Sequence, residues 1–341
     1  MPPVKKALFA AFLTCTLAAG AQEPTTRHFP LPDTVSPELR AMIAEKPPAY
    51  WNFHPKNEQE WKDWAARFAS AADQYLPQLR GKMDVSVTSE KIGGVPVFTI
   101  APKVVQNADA SRILLHFHGG GYVLGAGESG TQEAILMAGL GGFRVISVDY
   151  RMPPDFPNPA TLDDAMTVYR ELLKTTPAEK IGVFGTSTGG GITLALTLRA
   201  KAEGLPLPAA IAPGTPWTDL TKTGDSYFVN EGVDNILFSY DGWLGDAARL
   251  YAGGKSLKDP LLSPVYGDVH GFPPTLLTSG TRDLFLSNTV RMHLKLREAG
   301  VSADLIVFEG MSHAQYYMSA DAPEAQFHFS ELARFFRKHL K

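Results

Sequence analysis

Ser187 lies in the stretch VFGTSTGGGI, residues 183–192, with a glycine two positions away on either side and more glycine behind it. Glycine is costly inside regular structure, because it loses the most backbone freedom on folding. An apolar run, Lys180 to Phe184, enters the stretch, and an Ala/Leu-rich helical pattern, Ile192 to Lys201, leaves it. Gly-x-Ser-x-Gly between a strand and a helix predicts a turn so tight that side chains at positions 185 and 189 would strike neighbouring backbone. It predicts a strained serine whose hydroxyl sits at a helix N-terminus. There the Thr188 N–H and the helix dipole face any developing negative charge. The chemistry of such a group is nucleophilic attack on a carbonyl.

A second glycine cluster, in LLHFHGGGYVLG at 114–125, also comes after an apolar run. Without side chains its amides can approach a substrate closely. Gly120 and Gly121 supply two N–H donors and Thr188 a third, the makings of an oxyanion hole. The spacing is wrong for a phosphate loop: there is no G-x-G-x-x-G and no Lys-Ser/Thr. His116 and His118 lie two apart, on one side of a strand. No third ligand matches them as a metal pair, and His118 is expected to hold the glycine loop by a hydrogen bond.

A serine hydroxyl needs a base, and the base an orienting acid. In this order of elements both come after the serine. Five histidines lie beyond Ser187. His293, His328 and His339 fall in helical patterns and read as surface residues; His270 precedes a strand, at the wrong edge. His313, in EGMSHAQ, comes directly after a strand and reaches the edge where Ser187 lies. Asp283, in SGTRDLF, also sits just past a strand end, whereas Asp304 precedes its strand. Asp259 and Asp268 are the alternatives, and a surface pairing with Arg282 is the other use for Asp283.

The ordered motifs HGGGY, DYRMPP…PATLDDA, GTSTGGG, SGTRDLF and GMSHA together resemble the hormone-sensitive-lipase family of α/β-hydrolases, in its bacterial esterase branch. The match runs from about Asp84 to the C-terminus. The resemblance implies a Ser187–Asp283–His313 triad and an oxyanion hole from Gly120, Gly121 and Thr188. It also implies a lid made by the N-terminal helices and the segment after PGTPWTD. Thr188 stands where the family more often has alanine, and Thr186 where aspartate is frequent. Both substitutions can alter the pocket's shape without removing a catalytic group. The TRDLFLSNTVR segment is similar to members that act on lactones.

The elements that must position these residues are legible around them. DVSVTSEKIGGVPVFTIAP alternates on both sides of Gly93-Gly94 and reads as a β-hairpin. RILLHF, RVISVDY, the run before Ser187, AAIAPGTPW, PTLLTSGT and DLIVFEG read as buried strands. Helical patterns lie at TLDDAMTVYRELLK, after Ser187, at Ser287–Ala299 and at Glu324–Lys341. Strands alternating with helices predict an α/β fold, a mostly parallel sheet covered on both faces with an antiparallel edge. From Pro37 to about Arg80, Trp61, Trp64, Ala65, Phe68 and Tyr75 recur at helical spacing. They serve either packing on the core or a lid. Residues 219–263 interrupt the alternation as an insertion, a second lid element. The expected organisation is 1–21 leader, 22–82 helical cap segment, and 83–341 catalytic domain with the 219–263 insertion.

The chain has 341 residues, 44% hydrophobic and 20% charged, with a formal net charge of −3. No basic surface calls for nucleic acid, and the body of the chain has no apolar run of spanning length. MPPVKKALFAAFLTCTLAAGAQEP has Lys5 and Lys6, an apolar stretch and Ala19-Gly20-Ala21, the pattern of a secretory leader. Its removal takes the formal charge to −5 and discards Cys15, the only cysteine. The mature protein then has no thiol nucleophile and no disulfide. An exported serine carboxylic-ester hydrolase acting on small to medium acyl esters is the expectation. Lactone hydrolase, amidase or peptidase, and a non-catalytic small-molecule receptor are the rivals. The chemistry requires no cofactor or metal, and the oligomeric state has no signature in the sequence.

Overall fold

A computed structural model describes residues 27, 29–103, 109 and 111–341; the expected leader lies outside them. In chain order the elements are α1 (Pro37–Ile43), α2 (Glu58–Asp73), α3 (Leu76–Met83), β1 (Val85–Ile92), β2 (Val95–Pro102), β3 (Ile113–Phe117), α4 (Gln132–Gly141), β4 (Arg144–Val148) and α5 (Ala160–Leu173). Next come β5 (Ile181–Thr186), α6 (Thr188–Ala202), β6 (Ala210–Gly214), α7 (Ser226–Val229), α8 (Trp243–Ala252), β7 (Thr275–Gly280), α9 (Leu286–Glu298), β8 (Ala303–Phe308) and α10 (Pro323–His339). The strands form one sheet of eight in the order β1-β2-β4-β3-β5-β6-β7-β8. The first two pairings, β1 with β2 and β2 with β4, are antiparallel, and the rest are parallel.

The hairpin turns where it was expected. Gly93 and Gly94 take φ of 59° and 85°, and Ile92 pairs directly with Val95. Positive φ at both central residues is the turn whose twist matches that of the strands. In the parallel strands, side chains alternate between two cores. Leu115, Phe117, Val183 and Ile211 face one layer with α5, α6 and α9; Leu114, Phe184 and Ala212 face the other with α4 and α10. Both faces are covered, so these strands read as near-continuous apolar runs.

Two readings need correction. The helix α4 has no counterpart in the periodicity, because Ala134, Ile135, Leu136, Met137 and Ala138 are all fully buried and no polar stripe marks its outer face. His328 is not a surface residue. It is buried in α10, 4.1 Å from the Tyr316 ring, and burial pushes its imidazole down to about 3. The aromatic N-terminal segment is broken into three helices, with Tyr75 at the break between α2 and α3.

Candidate active site

The parallel strands β3, β5, β6, β7 and β8 all end at one edge of the sheet, and the site is built on the loops and turns at that edge. After β5 the chain turns on Ser187, whose φ of 63° and ψ of −120° lie outside the ordinary regions, straight into α6. Such a conformation costs on the order of 1–3 kcal/mol and persists only when surroundings over-determine it. Here Ser187 N–H donates to the Gly214 carbonyl at 2.9 Å, and its own carbonyl accepts from Trp217 N–H at 2.9 Å and Gly191 N–H at 3.0 Å. A Cβ on Gly189 would lie 2.7 Å from the Phe117 carbonyl carbon and 2.9 Å from the His118 oxygen; one on Gly185 would lie 2.9 Å from the carbonyl carbon of Gly189. The flanking glycines are therefore required by contact with neighbouring backbone, as the motif predicts.

After β3 the glycine loop folds over the serine. Gly120 and Gly121 have φ of 121° and 65°, and a Cβ on Gly121 would meet Trp243 of α8 at 2.5 Å. Among the described residues, the amides of Gly120, Gly121 and Thr188 have no hydrogen-bond partner. His118 holds this loop. Its Nδ1–H donates to the Gly119 carbonyl at 2.7 Å, and its ring stacks on Tyr150 at 4.2 Å. Burial pushes the His118 imidazole down to about 4, so it is neutral and serves as a fixed donor. His116 takes a separate path, to Ser147 Oγ at 2.9 Å and Glu133 at 3.2 Å. Among the described residues no three His, Cys, Asp or Glu side chains gather as a metal-binding group.

The loops after β7 and β8 bring Asp283 and His313 together. His313 Nδ1 lies 3.0 Å from Asp283 Oδ1, with both side chains almost wholly buried. Asp283 Oδ1 also accepts from Phe285 N–H at 2.8 Å, and Oδ2 from Ser279 Oγ at 2.8 Å and from Thr215 Oγ1. The other ring nitrogen, His313 Nε2, is buried without a hydrogen-bond partner. Arg282 instead reaches the Pro30 carbonyl. The alternative acid Asp268 is exposed and pairs with Lys201 and His270, and Asp259 caps the turn at Leu261.

Ser187, Gly120, Gly121 and His313 line one cavity of about 760 Å³. Its far walls come from the two segments outside the sheet: Tyr50 and Phe68 before β1, and Leu237 and Trp243 from the insertion. These walls interlock through Trp64, which meets Trp243 edge-on at 5.0 Å and packs on Tyr50 at 5.6 Å. The sequence reading missed Thr215 and Ser279, although both lie in or just past strand ends at the serine's edge. It also missed Glu133, which lies under the serine and accepts from Thr186 Oγ1 at 2.6 Å.

Residues 114–317 match the family model described as alpha/beta hydrolase fold. An acetyl-hydrolase of Streptomyces hygroscopicus is 31% identical over 63% of this chain and 72% of its own length. An esterase of Acinetobacter venetianus is 29% identical over 68% and 77%. Among solved structures, esterase E25 superposes with a TM-score of 0.90 at 44% identity, covering 95% of this chain and all of its own. An esterase from the bacterial hormone-sensitive lipase family gives 0.77 at 29% identity, over 90% and 99%. Sheet order, serine turn, glycine loop and these likenesses together place the chain in the α/β-hydrolase-fold family, among the bacterial esterases of the hormone-sensitive-lipase group.

Proposed function

We propose that Ser187, His313 and Asp283 form the catalytic triad of this carboxylesterase, with the amides of Gly120, Gly121 and Thr188 as its oxyanion hole. The observation that carries the reading is the His313 ring. One nitrogen is engaged by a buried carboxylate at 3.0 Å, while the other is unpaired at the cavity that Ser187 lines. His313 Nε2 takes the Ser187 proton as Oγ attacks the ester carbonyl. The unpaired amides receive the oxyanion, each donor contributing about a hundredfold or more in rate. The alcohol leaves with the proton from Nε2, and water, activated by the same nitrogen, releases the acid from the acyl-enzyme. Asp283 keeps the imidazole in the tautomer whose Nε2 is free and stabilises its charged form.

The acyl or alcohol group of a small to medium ester lies against the aromatic walls, so the described parts of residues 22–82 and the insertion at 219–263 act as a cap on the catalytic domain, assigned to residues 83–341. Among the described residues no helix is long and apolar enough to cross a membrane. The Lys5-to-Ala21 pattern supports export as the reading of the N-terminus. Purified Ser187→Ala should fold with a native circular-dichroism spectrum and lose at least about a thousandfold in hydrolysis of p-nitrophenyl butyrate. A native-folded variant that keeps full activity rejects the triad.

A further inference from the structure

Three residues of the insertion, Asn230, Asp234 and Asn235, reach both loops that carry His313 and Asp283. The Asp234 carboxylate is fully buried and accepts four backbone N–H groups. Oδ1 takes Ile236 at 2.9 Å and Leu237 at 3.1 Å, from its own turn. Oδ2 takes Leu284 at 2.7 Å, next to Asp283, and His313 itself at 3.4 Å. Asn230 Nδ2 donates to the Asp283 carbonyl at 2.8 Å. Asn235 N–H donates to Ser312 Oγ at 3.2 Å, and Gln315 Nε2 donates back to Asn235 Oδ1 at 3.0 Å. The Asn235 amide also donates to the carbonyls of Met42 at 2.7 Å and Glu45 at 3.0 Å, at the end of α1.

We infer that Asp234 is a positioning residue for the ester hydrolysis: its carboxylate ties the loop of Asp283 to the loop of His313 and fastens both to the insertion. The inference rests on the triad reading above. Its physical basis is the accounting of donors. A carboxylate has acceptor sites on both oxygens, so one side chain can bridge two loops and still close its own turn. Asparagine has the same shape but only one acceptor atom. Its NH₂ would face either the Leu284 and His313 amides or those of Ile236 and Leu237, donor against donor. No other side chain of that size closes all four bonds.

The arrangement buries a second carboxylate close to Asp283. Burial, with the Asp283 charge adding, pushes Asp234 up to about 6; the His313 charge and the Leu284 and Ile236 amides pull the other way. The titratable groups acting on it are Asp283, after β7, and His313, after β8. Because this folded value is raised, the group's contribution to stability is present below the ordinary carboxylate range and is lost as pH rises through about 6. The bridge needs the opposite state, the anion. Positioning is therefore gained above about pH 6 at a cost in stability, and protonation in mild acid turns one acceptor oxygen into a donor facing amides.

The test is Asp234→Asn in the full chain, with p-nitrophenyl butyrate hydrolysis measured from about pH 5 to 8 beside the native enzyme and Ser187→Ala. Loss of a charge-assisted bridge predicts a fall in kcat of about tenfold or more with KM within about twofold. It also predicts that the native acid limb of log kcat, steepened by a second protonation, reverts to a single-proton slope. A variant of lowered active fraction alone would keep the native limb and so overturn the inference, as would native kcat. Should Asp234→Asn fail to fold, Asp234→Glu decides. It keeps the charge but displaces the carboxylate by one methylene, so it cannot hold all four amides as before, and native kcat there overturns the inference as well. Inactive Ser187→Ala beside fully active Asp234→Asn rejects the positioning role and leaves the triad standing; active Ser187→Ala rejects the triad.

Discussion

Asp283→Asn separates the charge of the acid from its geometry, because of the way the donors around it are divided. In triads where the amide turns its NH₂ toward the imidazole, the ring is trapped in the wrong tautomer and kcat falls about 10⁴-fold. Here Oδ1 accepts from two N–H groups, His313 Nδ1 at 3.0 Å and Phe285 at 2.8 Å, neither of which can become an acceptor while Nε2 stays free. Oδ2 accepts from two hydroxyls, Ser279 and Thr215, which can rotate to accept instead; Thr215 Oγ1 already lies 3.1 Å from His313 Nδ1, within reach as a second acceptor for that N–H. An asparagine therefore puts its oxygen at the Oδ1 position and its NH₂ between the hydroxyls. Orientation and tautomer survive, and only the charge is lost. An ion pair with centres about 4 Å apart is worth about 4 kcal/mol at an effective dielectric of about 20. The retained amide hydrogen bond returns about 1 kcal/mol of that. A loss of about 3 kcal/mol in the charged transition state is about a hundredfold in kcat. Steady-state hydrolysis of p-nitrophenyl butyrate at about pH 7.5 reads this directly. A second measurement on Asp283→Asn with Thr215→Val removes one rotating hydroxyl and should deepen the loss. A drop of about 10⁴ in the single variant would refute the hydroxyl argument, and a drop under about threefold would refute the role of Asp283.

The packing carries two further expected outcomes. Gly189→Ala places a methyl group 2.7 Å from the Phe117 carbonyl carbon, so β3 and α6 must separate; it should cost about 3 kcal/mol or more in urea unfolding, and a cost below about 0.5 kcal/mol would contradict the close approach. Trp243→Ala removes the ring that seats on Gly121 and Trp64; it should cost about 3–5 kcal/mol in stability and shift preference toward longer acyl chains in a p-nitrophenyl ester series, and an unchanged series would show that Trp243 does not bound the acyl site.

What was legible in the sequence was whatever a strand end fixes. Ser187, Asp283 and His313 each come after a short apolar run, and a parallel sheet sends every such run to the same edge. Topology thus brings together residues that lie 96 and 30 positions apart in the chain. The glycines at 185, 189, 120 and 121 were legible for a related reason: a missing side chain beside a reactive one needs a close approach to explain it. The helix α4 was not legible, since complete burial erases the amphipathic stripe that periodicity detects. His328 was misplaced because a helical pattern does not say which turn of the helix faces the core. Asp234 and Asn235 carried no signal at all. They lie in an irregular loop, and most of their partners are backbone amides and carbonyls, of Leu284, His313, Met42 and Glu45, which have no identity in a sequence.

That division has a physical origin in how the site resists its own chemistry. Asp283, Asp234 and His313 are all essentially buried, and each buried ionisable group opposes folding unless its hydrogen bonds are met. The sheet supplies some of those bonds, through Thr215 beyond β6 and Ser279 within β7. The Phe285 amide and the His313 ring supply the rest for Asp283, from loops that lie beyond the strand ends. The insertion holds the backbone of those loops instead, through Asn230 on the Asp283 carbonyl, Asp234 on the Leu284 and His313 amides and Asn235 beside Ser312, and it is itself anchored to the N-terminal segment at α1 and through Trp64. The two segments over the sheet therefore do more than wall a cavity. Their polar residues fix the backbone of the two loops from which the Asp283 and His313 side chains meet.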